Sequence, residues 1–127
     1  MPPPAKGPLM IQQQGDVRIV WITVARILDE TTIKALAAAL FELADTSYKP
    51  KILLNFDQVD YLSSAVIGKL AQFHQKIAEA KGILRMTGIK PPIKQIFTIT
   101  RLDKVFQLYD DPVKAINSFQ SDGGIVR

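Results

Sequence analysis

The chain has no cysteine among its 127 residues and only one histidine, His74. The first absence excludes disulfides, thiolate metal sites and cysteine nucleophiles, and fits a reducing compartment. The second leaves too few soft ligands for zinc, which takes three or four, so His74 reads as a packed or half-exposed structural histidine. Long apolar runs are also missing, and nothing reads as a membrane span. The first eight residues, Met1 to Pro8, contain four prolines and no apolar core like that of a secretory signal. A cytoplasmic location is therefore expected, with a flexible proline-rich tail over residues 1–8. Gly82 and Gly88 stand alone and make no phosphate-cradling loop. No glycine-flanked serine elbow is present either. These gaps argue against an enzyme and against a bound cofactor or metal.

Charge is present but uneven. The formal net charge is +4. Acids prevail from Asp29 to Asp60, and bases from Lys69 to Lys104: Lys69, Lys76, Lys81, Arg85, Lys90, Lys94, Arg101 and Lys104. A basic half can attract nucleic acid, a membrane surface or an acidic partner. The alternative is a solvated lysine-rich face. Without aromatics interleaved among the bases, direct DNA binding is not expected.

The length suits one domain that folds without staples. Leu9 to Gln14 and Val17 to Val24 flank Gly15-Asp16, a hairpin pattern. Asp29-Glu30-Thr31-Thr32 supplies capping oxygens and acids for a helix start. Ile33, Leu36, Ala37, Leu40 and Ala44 then recur at helical spacing, and Tyr48-Lys49-Pro50 closes the segment. Lys51 to Phe56 is a short apolar run that reads as a buried strand. Ser63-Ser64 precede a second helix with Ile67, Leu70, Ala71, His74, Ile77 and Ala78 inward, closed by Lys81 and a left-handed cap at Gly82. Ile83 to Thr87 reads as a strand, and Pro91-Pro92 open a short helix with Ile93, Ile96 and Phe97 on one side. Val105 to Tyr109 reads as the last strand. Asp111-Pro112 start a final helix with Val113, Ile116 and Phe119 buried. The order β-β-α-β-α-β-α-β-α predicts an α/β fold: a mixed, mostly parallel sheet with helices packed on it. One domain is expected over residues 9–120, with a frayed tail over 121–127.

Chemistry concentrates between Asp57 and Gly68. Asp57 and Asp60 stand three apart in a strand-to-helix loop, as an acid pair or simply a solvated loop. Ser63 and Ser64 fall where that loop becomes a helix. Either hydroxyl can serve as a plain N-cap. Either can also accept a phosphoryl group, whose charge the helix N–H groups and dipole would stabilise. Gly68, one turn in, fits either a close approach by another backbone or internal packing.

Three stretches carry a family resemblance over about Asp16 to Phe119. They are Ile27-Leu28-Asp29-Glu30-Thr31-Thr32, then Leu54-Asn55-Phe56 through Ser63-Ser64 to Gly68-Lys69-Leu70, then Ile89 to Phe97 with Leu102 to Phe106 behind it. In this order they resemble the STAS domain of bacterial anti-sigma factor antagonists. The second and third are spaced like those of the family's sporulation member, without a gap. The resemblance implies a STAS fold and a transcription-regulating phosphoprotein that works by protein–protein interaction. The unphosphorylated antagonist binds an anti-sigma factor that is also a serine kinase, and so frees a sigma factor. Phosphorylation on an Asp-Ser-Ser-Gly loop abolishes that binding, and a phosphatase restores it. It also implies a partner surface of Asp29, Asp60, Tyr61, Leu62, Ser63, Ser64, Ala65, Val66, Gly68 and Lys69. Here the motif departs: Ser63 falls on the family's Asp, Ser64 on its first Ser, Ala65 on the phosphoacceptor and Val66 on the Gly. Phosphorylation is therefore expected on Ser64 or Ser63, if on either. Relatives also serve as accessory subunits of lipid-transport ATPases and as scaffolds of stress-sensing complexes without such a switch. An enzyme or ligand-binding protein on the same fold is the third possibility, and no converging catalytic set supports it.

Overall fold

The computed structural model describes residues 8–45, 49–101, 107–109 and 111–124. The tail over residues 1–7, Tyr48, the stretch Leu102 to Phe106 and residues 125–127 lie outside the described residues.

The hairpin forms as the alternation predicts. Strands β1 (Leu9–Gln14) and β2 (Val17–Ile22) pair antiparallel across Gly15, whose φ of +63° suits a residue without a Cβ. A two-residue strand β3 (Arg26–Ile27) and helix α1 (Glu30–Asp45) follow. Next come β4 (Lys51–Asn55), a second short strand β5 (Tyr61–Leu62) and α2 (Ser64–Glu79). The chain closes with β6 (Ile83–Thr87), α3 (Pro91–Ile99), β7 (Gln107–Tyr109) and α4 (Pro112–Gly124). The main sheet runs β1-β2-β4-β6-β7, antiparallel only at its first pair. A separate ribbon pairs β3 and β5 in parallel, Arg26 with Tyr61 and Ile27 with Leu62. These two-residue strands are too short to leave a periodic signal, and the sequence reading did not contain them. The last helix continues past Ser121, where the sequence suggested fraying, to Gly124.

The sheet separates two apolar layers. Ile52 and Leu54 of β4 face α1, α2 and α3 together with Leu36, Leu40, Ile67, Leu70 and Phe97. Leu53 faces α4 with Val17, Ile19, Ala115 and Phe119. Covered on both faces, β4 is apolar throughout its middle rather than alternating.

The helix faces differ in detail from expectation. In α2 the inward set is Val66, Ile67, Leu70, Phe73 and Ile77, and Ala78 is exposed. In α4, Ala115 and Phe119 are buried while Val113 is 62% exposed. The Val113 N–H bonds the Asp111 carboxylate at 2.9 Å, which holds that residue in the capped first turn. At the end of α2 the left-handed residue is Lys81 (φ 62°), not Gly82. Lys81 N–H bonds the Ala78 carbonyl at 3.0 Å and Gly82 N–H the Ile77 carbonyl at 2.8 Å, a Schellman closure. Gly82 answers to crowding instead: a Cβ there would lie 2.3 Å from the Pro50 carbonyl oxygen.

The basic stretch does not form one face. The Arg85 side chain is buried, its guanidinium 5.5 Å from the Phe119 ring centroid and bonded to the Ser118 hydroxyl at 3.1 Å. Lys90 is engaged in the loop described below, and Lys104 lies outside the described residues. Among the described residues no helix is long and apolar enough to cross a membrane.

Candidate functional site

The loop from Phe56 to Ser63 is held at nearly every step. Phe56 N–H continues the β4–β6 ladder to the Thr87 carbonyl at 2.9 Å. Asp57 N–H bonds the Asn55 side-chain oxygen at 2.8 Å. Asp60 and Tyr61 N–H both reach the Ala25 carbonyl, at 2.8 and 3.1 Å, and Ser63 N–H reaches that of Ile27 at 3.1 Å. Val59 and Leu62 plug into the core, 0% and 5% exposed. Gly88, at φ +75°, admits Asp57: a Cβ there would meet the carboxylate at 2.4 Å.

Lys90 is the brace. Its ammonium donates to the Asp57 carbonyl at 2.7 Å, the Val59 carbonyl at 3.2 Å and the Asp60 carboxylate at 2.8 Å. Asp57 and Asp60 thus stand in an exposed, braced loop. Asp60 is neutralised by Lys90, and Asp57 is packed beside Gly88.

The two serines separate sharply. Ser63 occupies the N-cap of α2 with an extended backbone (φ −85°, ψ 163°), yet its hydroxyl makes no capping bond. Among the described residues its Oγ is the one buried side-chain polar atom without a hydrogen-bond partner. Ser64 and Ala65 are exposed. The first N–H groups of a helix have no intrahelical partner, and here the cap side chain supplies none. Gly68 faces solvent one turn later, and a Cβ built on it meets nothing within 4 Å. Internal packing is thereby ruled out as the reason for this glycine. Leu62 and Val66 are buried, and so they support the surface from beneath without presenting side chains to a partner.

Asp29 stands across from this helix start. Its carboxylate accepts the Thr32 N–H at 3.0 Å and the Thr32 hydroxyl at 2.7 Å, capping α1. These bonds, the hydroxyl's first, hold its pKa below the ordinary 3.8. Between the two helix starts runs a groove of about 450 Å³, lined by Leu28, Glu30, Ile33 and Lys34 on one side and Ser63, Ala65 and Lys69 on the other. At its edge the β3–β5 ribbon presents Tyr61, 52% exposed, with the Arg26 guanidinium 4.8 Å from its ring centroid. Leu28 is 46% exposed.

The structure brings Ser63, Ala65 and Lys69 to one groove, with Asp60, Tyr61, Ser64 and Gly68 on the adjoining loop and helix start; Asp29 does not line the groove but caps α1 between its lining residues Leu28 and Glu30. Arg26, Leu28 and Lys90 complete the surface and escaped the sequence reading. Arg26 and Leu28 flank a strand too short to recognise, and Lys90 reaches the loop from 30 residues away. An exposed Tyr–Arg pair beside apolar side chains is the composition of protein interfaces. His74 is half-buried on α2 away from this loop, and burial lowers its pKa. No group of three or more metal-ligating side chains occurs among the described residues.

A family model described as STAS domain matches residues 9–115. Solved structures of similar fold include an anti-sigma-factor antagonist (STAS) domain protein from Planctomyces limnophilus. It shares 17% identity at a TM-score of 0.75, covering 87% of this chain and 96% of that one. An anti-sigma factor antagonist from Mycobacterium paratuberculosis shares 23% identity at a TM-score of 0.73, covering 87% and 91%. The Bacillus antagonist SpoIIAA in its unphosphorylated form shares 12% identity at a TM-score of 0.70, covering 94% and 99%. At such identities these likenesses speak for the fold.

Proposed function

The chain belongs to the STAS domain family, and on that premise we propose that it is an anti-sigma factor antagonist. In this reading it binds an anti-sigma factor that is also a serine kinase, in the cytoplasm, and so frees a sigma factor. It does no catalysis itself, and ATP belongs to the kinase. The binding surface is the exposed part of the site: Asp29, Asp60, Tyr61, Ser64, Ala65, Gly68 and Lys69, joined by Arg26 and Leu28. The observation that carries the reading is the exposure of Ser64, Ala65 and Gly68 at the start of α2, beside an apolar groove and a Tyr–Arg pair.

We assign the phosphorylation switch to Ser64 rather than Ser63. A kinase must reach the hydroxyl, and the Ser63 Oγ is shut away. Phosphate on Ser64 would sit at the positive end of α2, next to N–H groups without intrahelical partners. It would place close to two negative charges beside Leu28 and Tyr61, where an apolar partner surface would lose contact. A phosphatase would reverse this.

Ala65, in the family's acceptor position, favours a second reading: a STAS accessory or scaffold subunit of a lipid-transport ATPase or stress-sensing complex, with no switch. One experiment separates the two. The protein is incubated with ATP and each serine-kinase anti-sigma factor of its genome, and phosphate is mapped by mass spectrometry while complexes are isolated. Phosphate on Ser64, lost in Ser64→Ala, supports the switch. Complex formation without phosphate leaves an antagonist without a switch. Neither complex nor phosphate, with kinases active on their other substrates, overturns the first reading in favour of the second.

A further inference from the structure

Strand β1 is an edge of the main sheet, and it lacks the devices that keep edges apart. Natural edge strands carry charges, prolines or bulges that prevent pairing with another chain. Leu9-Met10-Ile11-Gln12-Gln13-Gln14 carries no charge and no proline, and its register to β2 is unbroken over all six pairs.

The direction of its free backbone groups follows from one bond. Thr23 N–H bonds the Pro8 carbonyl at 2.9 Å, so Pro8 and every second residue after it turn their backbone groups toward β2. Ile11 and Gln13 therefore turn theirs to the open side. Ile11 is half-buried, and Gln12, Gln13 and Gln14 are exposed. Beside this edge lies a groove of about 380 Å³ between β1 and α1, lined by Ile11, Ala38, Ala39 and Glu42 among others.

We propose that β1 pairs antiparallel with β1 of a second copy of this chain, about a two-fold axis through Gln12, making one continuous sheet across a dimer. In this register Ile11 pairs with Gln13 of the second copy, and Gln13 with its Ile11. The two pairs exchange about four backbone hydrogen bonds. A second copy is the occupant because the edge is complementary to itself. No like charges oppose one another along the strand, and the two Gln12 side chains meet with donor and acceptor on each. The Gln13 amide donates to the Gly15 carbonyl of its own hairpin turn at 2.8 Å, so on the α1 side Gln13 of the second copy brings its methylenes over Ile11, Ala38 and Ala39. Small side chains on α1, Ala38 and Ala39, let the second copy approach, so the contact extends from the strand edge onto the helix beside it.

The absence of cysteine gives a direct test on the full chain. Gln12 turns its backbone toward β2, so across the axis Gln12 faces its copy as a non-hydrogen-bonded pair, with Cα atoms about 4.5 Å apart. That lies within disulfide range. Mild oxidation of Gln12→Cys is expected to give a covalent dimer quickly, and Gln14→Cys, away from the axis, at least ten times more slowly. Without oxidant, sedimentation of the wild type is expected to show twice the chain mass at high concentration. Gln12→Lys, which sets two ammonium groups together, and Gln13→Pro, which removes an outward N–H, should both give monomers with unchanged circular dichroism. Amide exchange should slow at Ile11 and Gln13 as the wild type associates. A wild type that stays monomeric up to millimolar concentration overturns the proposal. So does a dimer whose mass Gln12→Lys and Gln13→Pro leave intact. Protected Ile11 and Gln13 amides in a monomer would also overturn it, since another part of the same chain would then cover the edge.

Discussion

Gly68→Ala should make the domain more stable and its partner complex weaker, and the two opposite signs test different parts of the reasoning. Gly68 lies in the second turn of α2 on the solvent side, with no left-handed φ and nothing within 4 Å of a built Cβ. A helix-interior glycine costs roughly 0.8–1.0 kcal/mol relative to alanine, through the backbone entropy lost on folding. Since the added methyl meets open space, that full difference should be recovered, about 0.8 kcal/mol. In a domain of this size it corresponds to a rise in Tm of about 3–6 °C. Urea unfolding should show a higher midpoint at unchanged m value. Under the proposed function, binding is then read by calorimetry against the anti-sigma factor that the complex-isolation experiment identifies. If the partner's backbone seats over Gly68, a methyl of about the right size to hold it off should weaken affinity at least tenfold. A destabilised Gly68→Ala would refute the open-space description of α2. A stabilised variant with unchanged affinity would remove Gly68 from the partner surface.

Three other substitutions probe the site. Ser63→Ala should be neutral or stabilising by about 1 kcal/mol, because it removes a buried hydroxyl left without a partner. An ordinary N-cap serine would instead lose about 1 kcal/mol, so the sign in urea unfolding decides. Lys90→Met should cost about 1–2 kcal/mol by releasing two carbonyls and the Asp60 carboxylate. It should also speed amide exchange over residues 57–61; unchanged exchange there would deny Lys90 its bracing role. Asp29→Asn should be destabilising at neutral pH. The folded-state pKa of Asp29 is lowered, so its ionised form adds stability above the unfolded-state value near 3.9. That advantage fades as pH falls through the depressed folded value, and the two stability curves should converge below about pH 4. A gap that persists into stronger acid would point to something other than the carboxylate's bonds to Thr32.

Much of the architecture was legible before any coordinates. The hairpin at Gly15, the capped start of α1 at Asp29, the β4 run and the Pro91-Pro92 helix start are local facts. Turn chemistry, capping oxygens and apolar period act within a few residues of one another, and the α1 positions read as inward are buried, joined by Leu43. The errors arose where neighbours decide. Ala78 and Val113 fit the helical period but face solvent, because α2 turns Phe73 to the core and Asp111 captures the first turn of α4. Gly82 looked like a left-handed cap, yet Pro50 crowds it and Lys81 takes the turn.

The site divides the same way. Composition alone excluded thiol chemistry, and residue types in order carried the family likeness and placed two hydroxyls at a helix start. Only the tertiary structure separated those hydroxyls, burying the Ser63 Oγ while leaving Ser64 in the open. Only it brought Lys90 under the loop, set Arg26 against Tyr61 and opened Gly68 to solvent. Periodicity records how a segment meets the core on average. Which hydroxyl stands exposed, and which lysine braces a loop from a distant turn, depend on how β3, β5 and the β6–α3 turn close around it, and contacts at that range leave no local trace.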